Sequence, residues 1–266
     1  MTIEPRRIES AANPLLVRLR RLAGDPAAYR RLGEILLEGD HLCAAWLERG
    51  GAVASAAIIS EAGWDEPALR NLARQASRVA IVAPALLAAS SGLESPPRIV
   101  FVVPWRGAGV LQPAAPSLVL DRLQDAGNVG TLLRSAAAFG FTQVLALKGT
   151  AALWSPRVLR AGMGAHFALD LAEGLGSGDL AALAVPLLAT SSHAGRAIGD
   201  AALPWPCAFA FGNEGQGLAE AVRLRCSAEL RIPQPGGGES LNVAAAAAIC
   251  LYESARQRRA APSLST

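Results

Sequence analysis

Short apolar runs alternate with polar, glycine-containing breaks along this chain, and the spacing of the alternation changes near residue 117. Between Asn13 and Ala89 the stretches NPLLVRLRRLAG, RLGEILLEGDHLCAAWLERG and EPALRNLARQA carry apolar residues at helical spacing. They alternate with the β-rich runs VASAAIIS and RVAIVA, and PRIVFVVP closes the series. This pattern predicts a small α/β unit. WRGAGVLQPAAPS follows, rich in Gly, Pro and Ala and without a period, so 106–117 reads as an interdomain linker. No repeat of solenoid length is present.

Beyond Ser117 the alternation becomes regular. SLVL leads through DRLQDAGNVG into the helical TLLRSAAAFG, which Gly140 ends as a C-cap. QVLAL, VPLLATSS, PCAFAFG and ELRIP read as further strands, and the last two open into NEGQGLAEAV and PQPGGGESLN. Strands alternating with helices predict a mostly parallel sheet covered on both faces. Ligands of such sheets sit at the carboxyl ends of the strands.

Composition narrows the class. With 266 residues, 52% of them apolar, the chain can bury a proper core in one large or two ordinary domains. No apolar run is long enough to span a bilayer, and MTIEPRRIES lacks the apolar stretch of a signal peptide. The expectation is a soluble, cytoplasmic protein with no membrane partner. Cys43, Cys207, Cys226 and Cys250 lie far apart without a CxxC pair, which predicts reduced, mostly buried thiols rather than a zinc ribbon or a disulfide framework. His41, His166 and His193 do not cluster with carboxylates or cysteines at ligand spacing, so no metal is expected.

Net charge is only +3, but the cations are unevenly placed. Arg6, Arg7, Arg18, Arg20, Arg21, Arg30 and Arg31 crowd the start of the chain against Glu4, Glu9 and Asp25. Such a run is the footprint of a polyanion partner. It is equally a solvated helix face, because Lys148 is the only lysine and arginine is the default cation here.

Three strand-end loops stand out: Asp121 to Gly130, Gly212 to Gly217 and Pro233 to Asn242. Each contains glycine, which lets backbone approach a ligand closely. None is a phosphate-binding GxxxxGK[ST] loop. GSGDLA, Gly176 to Ala181, matches GxGxxA after the strand-like FALDL, with Asp200 downstream, but AEG intervenes where the dinucleotide motif needs a tight turn. The three loops share Asn128, Arg134, Asn213, Glu214, Ser240 and Asn242. Singly, Asn128 and Ser240 read as N-caps, Glu214 as a helix-start acid and Arg134 as an exposed helical cation. Together, and in this order, they ask for a common explanation.

LQDAGNVGTLLRSAAAFGF, FAFGNEGQGL and IPQPGGGESLNVAAAAA resemble, in order, the three motifs of the SpoU-type (TrmH-like) RNA ribose 2'-O-methyltransferases of the SPOUT superfamily. VLRAGMGAHFALDL resembles the family's segment between the first two. The resemblance is close from Ser117 to about Ala255 and looser in the N-terminal region, which is similar to a small ribosomal-protein-like RNA-binding domain. It implies an α/β fold whose C-terminal, mostly parallel sheet carries a deep trefoil knot, a rare exception to un-knotted chains. The expected division is an N-terminal RNA-binding domain over 1–105, the linker 106–117, the knotted methyltransferase domain over 118–258 and a disordered tail over 259–266.

The resemblance implies S-adenosylmethionine as cofactor, structured RNA as substrate with ribosomal RNA favoured over transfer RNA, and a homodimer built by the C-terminal domain. Its cofactor contacts fall on Gly212, Ile232 and Leu241, with Thr190, Asn213 and Pro233 beside them. Arg134 falls on the family's catalytic arginine, with Asn128, Glu214, Ser240 and Asn242 orienting it, the ribose and the loops. Arg18, Arg20 and Arg21 become candidates for RNA contact. On this reading Gly236, Gly237 and Gly238 turn the chain toward the cofactor, Ser240 caps the next helix, and Ala244 to Ala248 permit close packing. Gly162 stands where RASMGA would put serine, and Gln216 where many members carry a basic residue. Two rivals remain open: a non-catalytic RNA-binding protein on the same fold, and a nucleotide-dependent oxidoreductase using GSGDLA.

Overall fold

The computed structural model describes residues 4–49, 53–91, 93, 95–191, 194–237 and 240–260. The chain divides into two compact units, Met1–Gly107 with Trp154–Phe167, and Ala108–Leu153 with Ala168–Thr266.

In the first unit the elements are β1 (Arg6–Ile8), α1 (Pro14–Gly24), α2 (Ala28–Leu32), β2 (Glu34–Glu38), α3 (Asp40–Arg49), β3 (Ala56–Ser60), α4 (Glu61–Asp65), α5 (Pro67–Ala73), β4 (Val79–Val82), α6 (Pro84–Ala88) and β5 (Ile99–Pro104). They build a mixed sheet of order β1-β4-β3-β5-β2. β1, β4 and β3 run parallel, and β5 runs antiparallel to both β3 and β2. α1 starts where the Asn13 side chain accepts from Leu15 N at 2.9 Å and Pro14 takes the first helical position. Leu16, Leu19 and Leu22 are its buried stripe, which leaves Arg18 and Arg21 exposed.

The stretch RLGEILLEGDHLCAAWLERG, expected as helical throughout, is interrupted by β2. Gly33 adopts φ +66°, ends α2 and admits the strand. Ile35, Leu36 and Leu37 are then buried in succession against β5. Leu and Glu favour helix locally, and pairing across 60-odd residues of sequence overrides that preference. β1 escaped the pattern because Arg6 and Arg7 carry no apolar signal.

The second unit contains β6 (Ser117–Asp121), α7 (Ala126–Ala138) and β7 (Gln143–Leu147). The chain next contributes α8 (Pro156–Gly162) to the first unit, although the sequence places it within 118–258. There Arg160 pairs with the buried carboxylate of Glu38 in β2. β8 (Asp170–Leu175), β9 (Leu187–Ser191), β10 (Arg196–Ala197), β11 (Ala208–Gly212), α9 (Glu220–Arg223), β12 (Ala228–Arg231) and α10 (Val243–Ala260) complete the second unit. Its seven strands run in the order β10-β12-β9-β11-β6-β7-β8, and every neighbouring pair is parallel.

β6 and β7 are buried at every position, as a parallel sheet covered on both sides requires. Val119, Leu145, Leu147, Ala208 and Ala210 pack with Leu180, Val185 and Val222 on one side. Residues of the other parity, including Leu118, Leu120, Phe209 and Phe211, face the opposite side. α7 and α10 pack on each other, and each has a buried face that includes Val129, Leu132, Leu133 and Ala136 on α7 and Ala247 and Leu251 on α10. Buried Gln143 fastens the entering segment: its amide donates to Ser117 Oγ at 2.7 Å and to Gln112 O at 3.1 Å, and accepts from Gln112 N at 2.6 Å.

The spacer AEG does not exist as one: Ala172, Glu173 and Gly174 belong to β8, which ends directly before Gly176. GSGDLA still makes no dinucleotide turn, because Ser177–Ala182 is a 3₁₀ segment rather than an α-helix aimed at a ligand. All four cysteines are free; Cys43, Cys207 and Cys250 are buried and Cys226 partly so. Burial pushes the Cys250 thiol up to about 12 and those of Cys207 and Cys226 up to about 11. His41 is exposed, His166 buried, and His193 lies outside the described residues. Among the described residues no helix is long and apolar enough to cross a membrane.

Candidate active site at the strand ends

Because all seven strands are parallel, the carboxyl ends of β12, β9, β11 and β6 line one edge of the sheet, and the three motif loops leave from it. Construction starts at Asp121, the last residue of β6. Its buried carboxylate accepts from Ala219 N at 2.6 Å and from Arg122 Nε at 3.0 Å. Arg122 then takes φ 59°, a left-handed conformation uncommon for a side chain of that size. Its Nη1 donates to Gln216 Oε1 at 2.9 Å and its Nη2 to Gly217 O at 3.3 Å. One guanidinium thus latches the first motif to the second.

The second loop is a tight reversal. A Cβ on Gly212 would lie 2.2 Å from Gly217 C and Leu218 N, so only glycine fits where the chain doubles back. Gly217 takes φ +66° and its N–H donates to Asn213 O at 2.8 Å. Asn213 Oδ1 accepts from Gly215 N and Gln216 N at 3.0 and 3.1 Å, while its Nδ2 donates to Arg122 O at 3.0 Å. The requirement for Gly212 and Asn213 is therefore already met by backbone geometry.

The polar centre joins all three loops. Asn128 Nδ2 donates to Glu214 Oε1 at 3.1 Å, and Asn242 Nδ2 donates to Asn128 Oδ1 at 3.0 Å. The Glu214 oxygen also accepts from Asp125 N at 3.4 Å. A carboxylate accepts, so it fixes the Asn128 amide with nitrogen toward Glu214 and oxygen toward Asn242. That in turn leaves Asn242 Oδ1 to accept from Ala244 N and Ala245 N at 2.9 and 3.3 Å, the open start of α10.

Two capping roles expected from the sequence move to neighbours. Asp125, not Asn128, caps α7, accepting from Asn128 N at 2.7 Å. Asn242, not Ser240, caps α10; Ser240 is exposed. Asp and Asn three residues apart are both good caps, and the structure spends Asp125 on the helix so that the Asn128 side chain can bridge the loops. Gly237 has φ +67°, while Gly238 and Glu239 lie outside the described residues.

Other expected residues are near but differently engaged. Thr190, the penultimate residue of β9, donates from Oγ1 to Ala210 O at 2.8 Å. Ile232 is half-buried just past β12, Pro233 is exposed, and Leu241 is 39% exposed before Asn242. Arg134 is exposed on α7, a turn and a half beyond Asn128. No hydrogen bond or ion pair joins it to Asn128, Glu214, Ser240 or Asn242 among the described residues. Arg18, Arg20 and Arg21 belong to α1 of the first unit. Sequence reasoning passed over Asp121, Arg122 and Asp125. Only Asp125 left a local signal, an acid three residues before the first polar residue of the helix.

Residues 115–252 match the model of the SpoU rRNA Methylase family. The chain belongs to that family. Among its relatives is an uncharacterized tRNA/rRNA methyltransferase of Synechocystis, 33% identical over 96% of this chain and 95% of the relative. A 23S rRNA (uridine(2479)-2'-O)-methyltransferase of Streptomyces viridochromogenes is 26% identical over 89% of this chain and 88% of that protein. Among solved structures, the SpoU methyltransferase AviRb of Streptomyces viridochromogenes in complex with AdoMet superposes with a TM-score of 0.83 at 27% identity, over 93% of this chain and 98% of that one.

Against the SpoU pattern, both departures in the sequence have local causes. Gln216 is the acceptor for Arg122, so a cation at 216 would face a guanidinium. A Cβ on Gly162 would lie 2.5 Å from His166 Cε1 and 2.8 Å from its Nδ1, so the serine of the usual pattern cannot share this packing with His166. His166 itself is 1% exposed against the Trp154 ring.

Proposed function

We propose that this SpoU-family chain transfers a methyl group from S-adenosylmethionine to a ribose 2'-hydroxyl of structured RNA, ribosomal RNA in preference to transfer RNA. The observation that carries this reading is the Asn242–Asn128–Glu214 chain of hydrogen bonds, which draws the three family motifs to one strand-end edge. The residues there suit the cofactor. Leu241 offers exposed aliphatic surface for an adenine ring, and Glu214 supplies negative charge on the edge that a cationic sulfonium would share. Backbone at Gly212, Ile232 and Leu241, flanked by Thr190, Asn213 and Pro233, would hold it. Bound there, the sulfonium supplies an electrophilic methyl group.

The chain's own contribution is placement. In-line attack demands geometry first and charge stabilisation second. A guanidinium offers N–H donors and no acceptor, so Arg134 serves to position a phosphate of the target nucleotide and steady the developing alkoxide rather than to accept the proton. Asn128, Glu214 and Asn242 hold the loops in register, and Ser240 stands beside the ribose.

The assembly is a homodimer. Ile249 and Tyr252 are 40% and 56% exposed, and with exposed Ala245 they leave an apolar stripe along α10 that a second copy would cover. A deep trefoil knot in the C-terminal segment, implied by the family resemblance, belongs to the same reading. Four free thiols suit a reducing, cytoplasmic setting. The N-terminal unit contacts RNA through its arginines. Labelled S-adenosylmethionine, incubated with the chain and either ribosomal or transfer RNA, tests the reading. Label in ribosomal RNA is expected; label in neither RNA contradicts it.

A further inference from the structure

The N-terminal arginines are not equivalent, and their differences single out one place. Arg18 is engaged elsewhere: its Nη1 lies 3.0 Å from Glu34 Oε2, and it does not line the neighbouring cleft. Arg20 donates to Ala11 O at 2.7 Å through Nη2 and keeps its other donors. Arg21 is exposed and makes no side-chain hydrogen bond or ion pair among the described residues. Arg31, which follows one turn into α2, pairs with Asp25. Arg20, Arg21 and Arg31 line a cleft of about 330 Å³ between the end of α1 and α2, with Gly24, Asp25, Ala28 and Leu32.

Three guanidinium groups face one carboxylate in this cleft. Asp25 is already committed, accepting from Arg31 and from Ala27 N at 2.9 Å, so it neutralises one cation at most. Gly24 leaves the wall open: a Cβ there would meet nothing within 4 Å. Guanidinium groups present paired donors that match the oxygens of a phosphate, which a point charge cannot do. Ala28 and Leu32 supply the apolar floor that the edge of a sugar or base would cover.

We infer that the α1–α2 cleft binds a phosphodiester of the RNA backbone, held by Arg21 and Arg20 with Arg31 as the third cation, and that Arg18 takes no part. This rests on the reading that RNA is the substrate, and it names the site on the N-terminal unit where RNA is gripped. Asp25 acts as a brake, because it occupies Arg31 in the free protein.

The test uses the full chain and a fluorescein-labelled RNA hairpin, with affinity measured across a salt titration. Arg21→Ala and Arg31→Ala should each flatten the slope of log affinity against log salt by ~0.7–0.9, the effect of losing one phosphate contact. Arg18→Ala should leave the slope unchanged, and Arg21→Lys should preserve it. Asp25→Asn keeps an acceptor for Ala27 N, frees Arg31 and should tighten binding, a gain that damaged folding would not produce. Unchanged slopes for Arg21→Ala and Arg31→Ala, with a wild-type chain that binds the hairpin, overturn the cleft and leave the substrate reading standing. Weaker binding by Asp25→Asn also overturns it. A wild-type chain that binds no RNA overturns both.

Discussion

Asn242 Nδ2 donates to Asn128 Oδ1 at 3.0 Å, joining residues 114 positions apart at the edge where the sheet would meet its ligand. Asn242 has two jobs there, because its oxygen caps α10 while its nitrogen holds Asn128. Asn242→Asp separates them. Aspartate caps a helix as well as asparagine does, so stability should stay within about 1 kcal/mol. The lost donor, replaced by an oxygen facing an oxygen, should lower kcat/KM by roughly 5- to 100-fold, which corresponds to about 1–3 kcal/mol. Thermal denaturation and steady-state kinetics on the same preparation check both halves; full activity would dismiss the amide chain.

Arg122 and Gln216 form the second link between motifs. Arg122→Ala and Gln216→Ala should be non-additive in urea denaturation, with a coupling of about 0.5–1.5 kcal/mol, because each removes the same hydrogen bond. Gln216→Arg should weaken binding of S-adenosylmethionine by placing two guanidinium groups together, and Gln216→Glu should not. Strict additivity, or a harmless Gln216→Arg, would show that the latch is incidental.

Much of the second unit was legible in the sequence. Its buried strands are continuous apolar runs, and Gly212, Asn213 and Gly217 announce a reversal whatever their function. Division of labour inside the loops was not legible. Asp125 and Asn128 are equally good caps on paper, and only the approach of Glu214 from 86 residues away decides which of them is free. Arg122 gave no signal, since its role needs both a φ of 59° and a partner 94 residues distant. β2 failed for the same reason at larger scale: EILLE reads as helix until β5 is beside it.

Gly162 is expected to be inseparable from His166. Gly162→Ser should destabilise the protein by about 1–3 kcal/mol through overpacking against the imidazole. In a His166→Ala background the same change should cost much less, because the obstructing ring is gone. Chemical denaturation of the two single variants and the double variant settles the comparison, and equal penalties in both backgrounds would refute the packing explanation.

Ribose methylation, with Arg134 proposed to position the target, is tested most directly by the identity of the methylated atom. RNA treated with labelled S-adenosylmethionine and the wild-type chain is digested to nucleosides and resolved by mass. The expected result is a 2'-O-methylated nucleoside, with Arg134→Ala yielding roughly 10²–10³-fold less at cofactor affinity within a few fold of wild type. Label on a base, no labelled nucleoside, or near-normal turnover by Arg134→Ala would contradict the account.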